Sequence, residues 1–232
     1  MSAENPAAAG DLADFTALCR RLPEALADPP PRRLPDAECD RRAAVTLLVV
    51  PGGPPADPPR GPGGEPDRTT PFGLFVHRAR VDGDPWSGHV ALPGGRHDPA
   101  DADLVDTARR EMEEETGIRL PDEALLGRLD DLHPRTAHLP SIAITPFVAA
   151  LPRRPDVEES HELAGHLWIP LPDLAASARR SLLLRELPAP REFPTIEYAG
   201  AVIWGLTFAI VENFLERLGA RPPGPPPGGR AR

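Results

Sequence analysis

Proline constrains this chain more than any other residue. There are 33 prolines and 20 glycines among 232 residues, and each proline fixes its own φ and withholds a backbone donor. Helices and strands must be short enough to fit between these breakers, which rules out long helical bundles and coiled coils. The chain is still 40% hydrophobic, enough for a buried core at this length, so wholesale disorder is excluded as well. No segment repeats at a period of about 20 to 50 residues, which removes solenoids and propellers.

Between the breakers the apolar pattern predicts a definite series of elements. Leu12, Phe15, Leu18 and Leu22 recur at helical spacing over residues 11–27, with Pro23 marking a point where that helix can kink, and the proline-rich run 28–35 ends it. Residues 43–50 are a nearly continuous apolar run suited to a buried strand, and the Pro/Gly-rich stretch 51–66 that follows reads as a flexible excursion. Strands are expected at 72–80 and 89–92 around a turn-rich 81–88, with Pro93-Gly94-Gly95 as a sharp exit. Asp103 is a good N-cap for a helix over 104–116, and Gly117 is its C-terminal stop. Further strands are expected at 141–151, 166–169 and 201–204, and helices at 171–180 and 206–218. The tail 219–232 has nothing to bury and is expected to be disordered.

Charge narrows the function. The chain carries 26 basic against 35 acidic residues, a net charge of -9, with a pI near 5.3. That balance excludes a general nucleic-acid or anionic-membrane coat, so a polyanionic substrate would need a local positive site or bound cations. Every basic residue is an arginine, which GC-rich coding explains better than phosphate recognition does. Only Cys19 and Cys39 are present, and residues 1–10 have neither basic residues nor an apolar run like a signal peptide. A reducing cytoplasm is the expected setting. The longest apolar stretch, 199–211, falls short of the roughly 20 residues needed to span a bilayer.

The chemistry concentrates in the expected helix at 104–116. At about 100° per residue, Glu114 and Glu115 fall within roughly 60° of Glu111, so three carboxylates share one face. Val105, Ala108 and Met112 form an apolar stripe beside them. Arg110 is four residues from both Asp106 and Glu114 and is placed to orient them. A run of glutamates is ordinarily a solvated face. The alternative is that hard divalent cations, Mg2+ or Mn2+, fill the space between the repelling carboxylates.

The context upstream favours the second reading. Gly94-Gly95 followed by Arg110-Glu111-Met112-Glu113-Glu114-Glu115-Thr116-Gly117-Ile118 resembles the Nudix box, the loop-helix-loop that presents a metal-binding face in Nudix hydrolases. Fourteen residues separate Gly95 from Arg110, one more than the common pattern, and Asp101 and Asp103 flank the position of the midway glutamate. The longer form is similar to the coenzyme A pyrophosphatase-like branch. So are Pro85-Trp86-Ser87-Gly88-His89, Glu162-Leu163 ahead of Leu167-Trp168-Ile169-Pro170-Leu171, and Ile203-Trp204-Gly205-Leu206-Thr207. His77-Arg78-Ala79-Arg80 matches only part of the arginine-rich signature of that branch.

The resemblance implies an α/β Nudix fold, a central mixed β-sheet sandwiched between α-helices, over residues 42–218. An N-terminal helical extension (1–41) and the Pro/Gly tail (219–232) would flank it. It implies that Glu111, Glu114 and Glu115, with the Gly95 carbonyl, hold Mg2+ or Mn2+, and that water is activated to cleave a pyrophosphate. Glu115 and Glu162 compete for the role of general base, with Glu162 slightly favoured, and Arg110 belongs to the catalytic set. Arg78, Arg80 and Arg96 flank the expected cleft mouth and could fork onto phosphate oxygens. His133, Arg135 and His138 form a polar loop within reach of a nucleotide, and Trp86, Trp168 and Trp204 could stack on an adenine or belong to the core.

The expected substrate is coenzyme A or an acyl-CoA. ADP-ribose, a dinucleotide or a nucleoside triphosphate stand as the alternative, and a non-catalytic nucleotide-sensing domain as a third reading. The implied partner is a small CoA-like nucleotide, with no nucleic acid and no membrane, and the protein is expected to be a monomer or homodimer.

Overall fold

The apolar run after Arg42 becomes the central strand. In this computed structural model, which describes residues 12–35, 38–39, 41–52, 69–80, 88–134, 141–177, 179–184 and 191–220, β1 (Arg41–Pro51) runs parallel to β6 (Ile142–Ala150) over nine residue pairs. On its other edge β1 is shared. Its first residues pair antiparallel with β4 (Gly94–Arg96) and its last with β2 (Pro71–Arg78). β3 (Val90–Ala91) and β7 (Leu163–Pro170) flank β2, and β5 (Leu125–Arg128) closes the sheet beyond β6, giving seven strands.

The period-two alternation of β1 sorts two cores. Leu47 and Val49 pack with α1 (Phe15–Ala27), α3 (Leu171–Ala176) and α4 (Gly205–Arg217) through Leu18, Leu22, Leu174 and Phe214. Leu48 and Val50 face the other way, onto Met112 of α2 (Leu104–Thr116), with Leu74 and Trp168 beside them. A strand covered on both faces must be apolar throughout, which is why its sequence does not alternate. The result is the expected mixed sheet between helices.

The expected helices α2 and α4 and the strand β10 (Ala201–Trp204) fall where the pattern put them. α1 starts at Phe15 rather than at residue 11 because Asp14 caps it, accepting from Ala17 N at 2.8 Å. Leu12, Leu18, Leu22 and Leu26 of the N-terminal segment join the main core. Polar ties add to this: buried Asp131 accepts from Leu34 N (2.8 Å) and Thr145 Oγ1 (2.7 Å) and pairs with Arg128. Arg217 of α4 donates to Pro29 O at 2.8 Å and pairs with Asp130 at 2.6 Å.

Three expectations need correction. Pro93-Gly94-Gly95 is not only an exit, because Gly94 and Gly95 begin β4 and stay hydrogen-bonded to β1. The helix expected over 171–180 ends at Ala176, and Arg180 opens β8 (Arg180–Leu184) instead. β8 pairs with β9 (Arg191–Tyr198), which pairs with β10, so a second, three-stranded antiparallel sheet stands where the pattern gave a single strand. β9 carries Arg191, Glu192, Pro194 and Glu197, a composition that hides a strand. Residues 51–66 and the tail lie largely outside the described residues.

Candidate active site

α2 is fixed at both ends by its own sequence. The Asp103 carboxylate accepts from Val105 N (2.7 Å) and Asp106 N (2.9 Å), and Gly117, at φ 71°, makes the left-handed stop. Beyond it, Glu158 N donates to Thr116 O (2.9 Å) and Ser160 N to Glu115 O (3.0 Å). The last carbonyls of the helix are thereby satisfied by the segment that leads into β7, and Glu162 on that segment comes up beside the acidic face. The Glu162 carbonyl accepts from Ala79 N at 2.8 Å, which ties it to the end of β2.

The double glycine has a steric reason on each residue. Gly94 lies at φ +148° against β1, where a Cβ would meet Ala44 O at 2.2 Å. A Cβ on Gly95 would meet the Glu111 carboxyl atoms at 2.5 Å. Only glycine lets the β4 backbone lie against both the sheet and the acid of α2.

Arg110 is the hub of the helix face. Its Nε and Nη2 grip the Asp101 carboxylate at 3.0 and 3.1 Å, and its Nη1 donates to Glu111 Oε1 and Glu114 Oε2, both at 2.8 Å. Nη2 also donates to the Arg96 carbonyl at 3.0 Å. The expected Asp106 partner is replaced by Asp101, because Asp106 instead accepts from Ala102 N at 3.2 Å in the turn ahead of the helix. Hydrogen bonding to Arg110 holds Asp101 well below the usual carboxylate range, and Asp101 in turn raises the Arg110 pKa. The Thr107 hydroxyl donates to Asp101 (2.8 Å) and sits 2.8 Å from His97 Nδ1. Asp101, Thr107 and His97 were not singled out as a unit in the sequence; only the two aspartates flanking Ala102 hinted at it.

Glu115 is the most buried acid of the site, at 3% exposure. Its Oε2 accepts from Gly94 N at 2.9 Å, and Oε1 lies 3.8 Å from Arg78 Nη1. Burial pushes its pKa up to about 7, opposed by the Gly94 N–H and Arg78 and reinforced by the charges of Glu111 and Glu162. Glu111 is raised for the same first reason, burial, with Arg110 opposing and Glu114 and Glu162 adding. Glu113 leaves the site for an exposed pair with Arg119.

The other expected residues divide. Arg78 belongs to the site through Glu115, whereas the Arg80 and Arg96 side chains are exposed, and Arg96 enters through its carbonyl. Trp168 is core, with the Arg154 guanidinium 4.9 Å above its ring. Trp204 is half-buried against the rings of His89 and Phe193. His133 lies 3.4 Å from Ser141 Oγ, away from the carboxylates. Trp86, Arg135 and His138 lie outside the described residues. A cavity of about 560 Å³ lined by Arg180, Glu197, Tyr198 and Val202 contains none of the box carboxylates.

Among the described residues no three acidic, histidine or cysteine side chains converge as a ready ion cage. The reason is visible: Arg110 stands between Glu111 and Glu114, and Glu115 is turned to Gly94 and Arg78. The donor chemistry nonetheless fits a hard divalent cation. The donors are all oxygens, and the raised pKa of Glu111 and Glu115 marks an excess of buried negative charge that such an ion would offset. Among the described residues no helix is long and apolar enough to cross a membrane.

Comparison with known proteins points to one family. The model of the NUDIX domain matches residues 66–187, which include β4 and α2. An uncharacterized protein of Schizosaccharomyces pombe is 32% identical over 149 residues, 62% of this chain and 45% of its own length. An uncharacterized Nudix hydrolase, NudL, of Yersinia pestis is 33% identical over 134 residues, 57% of this chain and 65% of its own. The chain thus spans less than two thirds of the length of either relative. Among solved structures, a MutT/nudix family protein from Enterococcus faecalis aligns over 94% of this chain and 74% of its own, at TM-score 0.49 and 15% identity.

Proposed function

The chain belongs to the NUDIX domain family, and on that footing we propose that it is a pyrophosphohydrolase that uses Mg2+ or Mn2+ and prefers coenzyme A or an acyl-CoA. The products are adenosine 3',5'-bisphosphate and 4'-phosphopantetheine or its acyl form. The observation that carries the catalytic part is the pair of acids Glu111 and Glu115, both raised by burial and both set against the double-glycine strand. The substrate part is supported by the longer spacing between Gly95 and Arg110 and by the downstream Trp204-Gly205-Leu206-Thr207.

Glu111, Glu114, Glu115 and the Gly95 carbonyl are the residues proposed to hold the ion. When bound, it offsets the charge of the pyrophosphate and makes water a competent nucleophile near neutral pH. The water oxygen adds to phosphorus, the anhydride P–O bond breaks and the phosphate departs. Glu162 takes the proton of the attacking water: it is exposed beside Glu111 and Glu115, while Glu115 is already committed to the Gly94 N–H and Arg78. Arg110 keeps Glu111 and Glu114 in place through its grip on Asp101. Arg78, Arg80 and Arg96 receive phosphate oxygens, and exposed Arg80 is the reader of the 3'-phosphate of coenzyme A. The work is done in the cytoplasm, in keeping with two unpaired cysteines.

A panel of pyrophosphates with Mg2+ and Mn2+, read by product mass, tests this. Coenzyme A should have the highest kcat/KM, dephospho-coenzyme A should be slower by about tenfold, and Arg80→Ala should erase that difference. A clearly higher kcat/KM for ADP-ribose or a nucleoside triphosphate overturns the substrate while leaving the hydrolase. Glu162→Gln should lower kcat with little change in KM; an unchanged kcat returns the base role to Glu115.

A further inference from the structure

We propose that Trp204, His89 and Phe193 form the subsite for the nucleobase of the substrate, a flat aromatic ring carried on a phosphorylated ribose. This rests on the reading of the chain as a nucleotide pyrophosphohydrolase and adds where its base is held. The three residues come from β9, β10 and the lead-in to β3, so the second sheet, of which the sequence pattern gave only β10, supplies most of the subsite. Trp204 and Phe193 lie outside the stretch matched by the NUDIX model.

The placement follows from strand register. Arg78 N donates to His89 O at 3.1 Å, continuing the pairing of His77 with Val90, so Arg78 and His89 stand opposite each other on β2 and the approach to β3. Residues opposite one another in an antiparallel pair send their side chains to the same face. Val90 and Leu92 go to the α1 and α4 core, which turns His89 to the other face. That is the face of Glu115, since Arg78 Nη1 is 3.8 Å from its carboxylate. The Trp204 ring centroid is 4.6 Å from that of His89, at 67° between planes, and 5.6 Å from that of Phe193, at 66°. All three rings are half-buried, unlike Trp168, which is core.

An aromatic ledge therefore begins at His89, the cross-strand partner of Arg78, the arginine that touches the most buried acid of the site. With the phosphates at Arg78 and the carboxylates, the base of the same molecule reaches the ledge, where stacking on Trp204 is favourable for any base because each has a π-face. Thr207 Oγ1, in the first turn of α4 and three residues beyond Trp204, donates to Val90 O at 3.0 Å and holds the junction of β10 and α4 against β3, which keeps the ledge in register with the site.

The test compares adenosine 5'-monophosphate with ribose 5-phosphate, the same ligand without its base, by calorimetric titration of the full chain. In the wild type the nucleotide should bind at least about tenfold more tightly. Trp204→Ala should bring it down to the level of ribose 5-phosphate, and Trp204→Phe should restore most of the difference, with thermal melts confirming that both variants fold. Should Trp204→Ala fail to fold, Phe193→Leu replaces it and should reduce the difference by severalfold. No advantage for the nucleotide in the wild type, or an advantage that survives Trp204→Ala or, in its place, Phe193→Leu, overturns the subsite. Failure of the wild type to cleave any nucleotide pyrophosphate overturns the hydrolase reading instead and leaves the binding contrast legible.

Discussion

The backbone N–H of Gly94 donates to Oε2 of Glu115 at 2.9 Å, a bond between the strand inserted beside β1 and the last turn of α2. With the Arg78 guanidinium of β2, 3.8 Å from the other carboxylate oxygen, it positions the deepest acid of the site from the sheet, and it depends on Gly94 lying flat against β1. The two glycines of the pair therefore do different work, one for the fold and one for the site.

Substitution separates those roles. Gly94→Ala puts a Cβ 2.2 Å from Ala44 O in a backbone conformation that L side chains rarely adopt, and neither atom can move cheaply. It should destabilise by at least about 2 kcal/mol in urea denaturation. Gly95→Ala meets the far end of the Glu111 side chain, which can swing away. It should keep most of the stability and lose activity by about tenfold or more, because Glu111 is displaced. Equal stability losses in the two variants would contradict this division.

Glu115 links pH to stability. Its folded pKa of about 7 lies above the ordinary 4.5, so between those values the folded state holds a proton that the unfolded state has lost. Stability from this group is complete below about pH 4.5 and is lost as pH rises through 7, by about 3 kcal/mol in the metal-free protein. Glu115→Gln should remove that slope, gaining on the wild type as pH rises from 4.5 to 8. Glu111→Gln and Glu115→Gln should both fold and turn over at least about a hundredfold more slowly. Wild-type rates in either variant, or activity that survives exhaustive chelation, would leave α2 as an ordinary acidic face.

The sequence made α2 legible down to its caps because every signal agreed: Asp103, the apolar stripe through Ala108 and Met112, and Gly117. It made the identity of Glu111 and Glu115 legible but not their different surroundings, since helical spacing gives a shared face and says nothing of the strand that packs on it. β4 was illegible because its three residues include both glycines, β9 because charge and proline mask its pairing, and β8 because its short leucine run does not alternate. Arg110's choice of Asp101 over Asp106 rests on loop geometry, to which an i,i+4 rule is blind.

That choice can be tested. Asp101→Ala removes the bidentate anchor of Arg110 and leaves Nη1 to Glu111 and Glu114 without support. It should lower kcat by about tenfold or more, and Asp101→Asn, which keeps the shape, should lose less. Asp106→Ala should affect turnover far less, since Asp106 reaches only Ala102 N. Comparable losses at 101 and 106 would mean that the network around Arg110 is decorative.

The N-terminal helix is the last case. Leu18 and Leu22 are fully buried in the same core as Leu47, Val49 and Phe214, and the Ala25 and Leu26 carbonyls lie 3.4 Å from Arg217 Nη1. α1 thus shares with α3 and α4 the cover of the sheet face opposite α2, and without it the part beneath Leu18 and Leu22 would be open to water. Leu22→Ala should cost about 2 to 5 kcal/mol, from lost transfer energy and the cavity left behind, whereas half-buried Phe15 should cost less when truncated. Removing residues 1–27 should lower the melting temperature sharply even though no box residue is touched. If Leu22→Ala changes the unfolding free energy by less than about 0.5 kcal/mol, the helix is an appendage and the sheet stands without it.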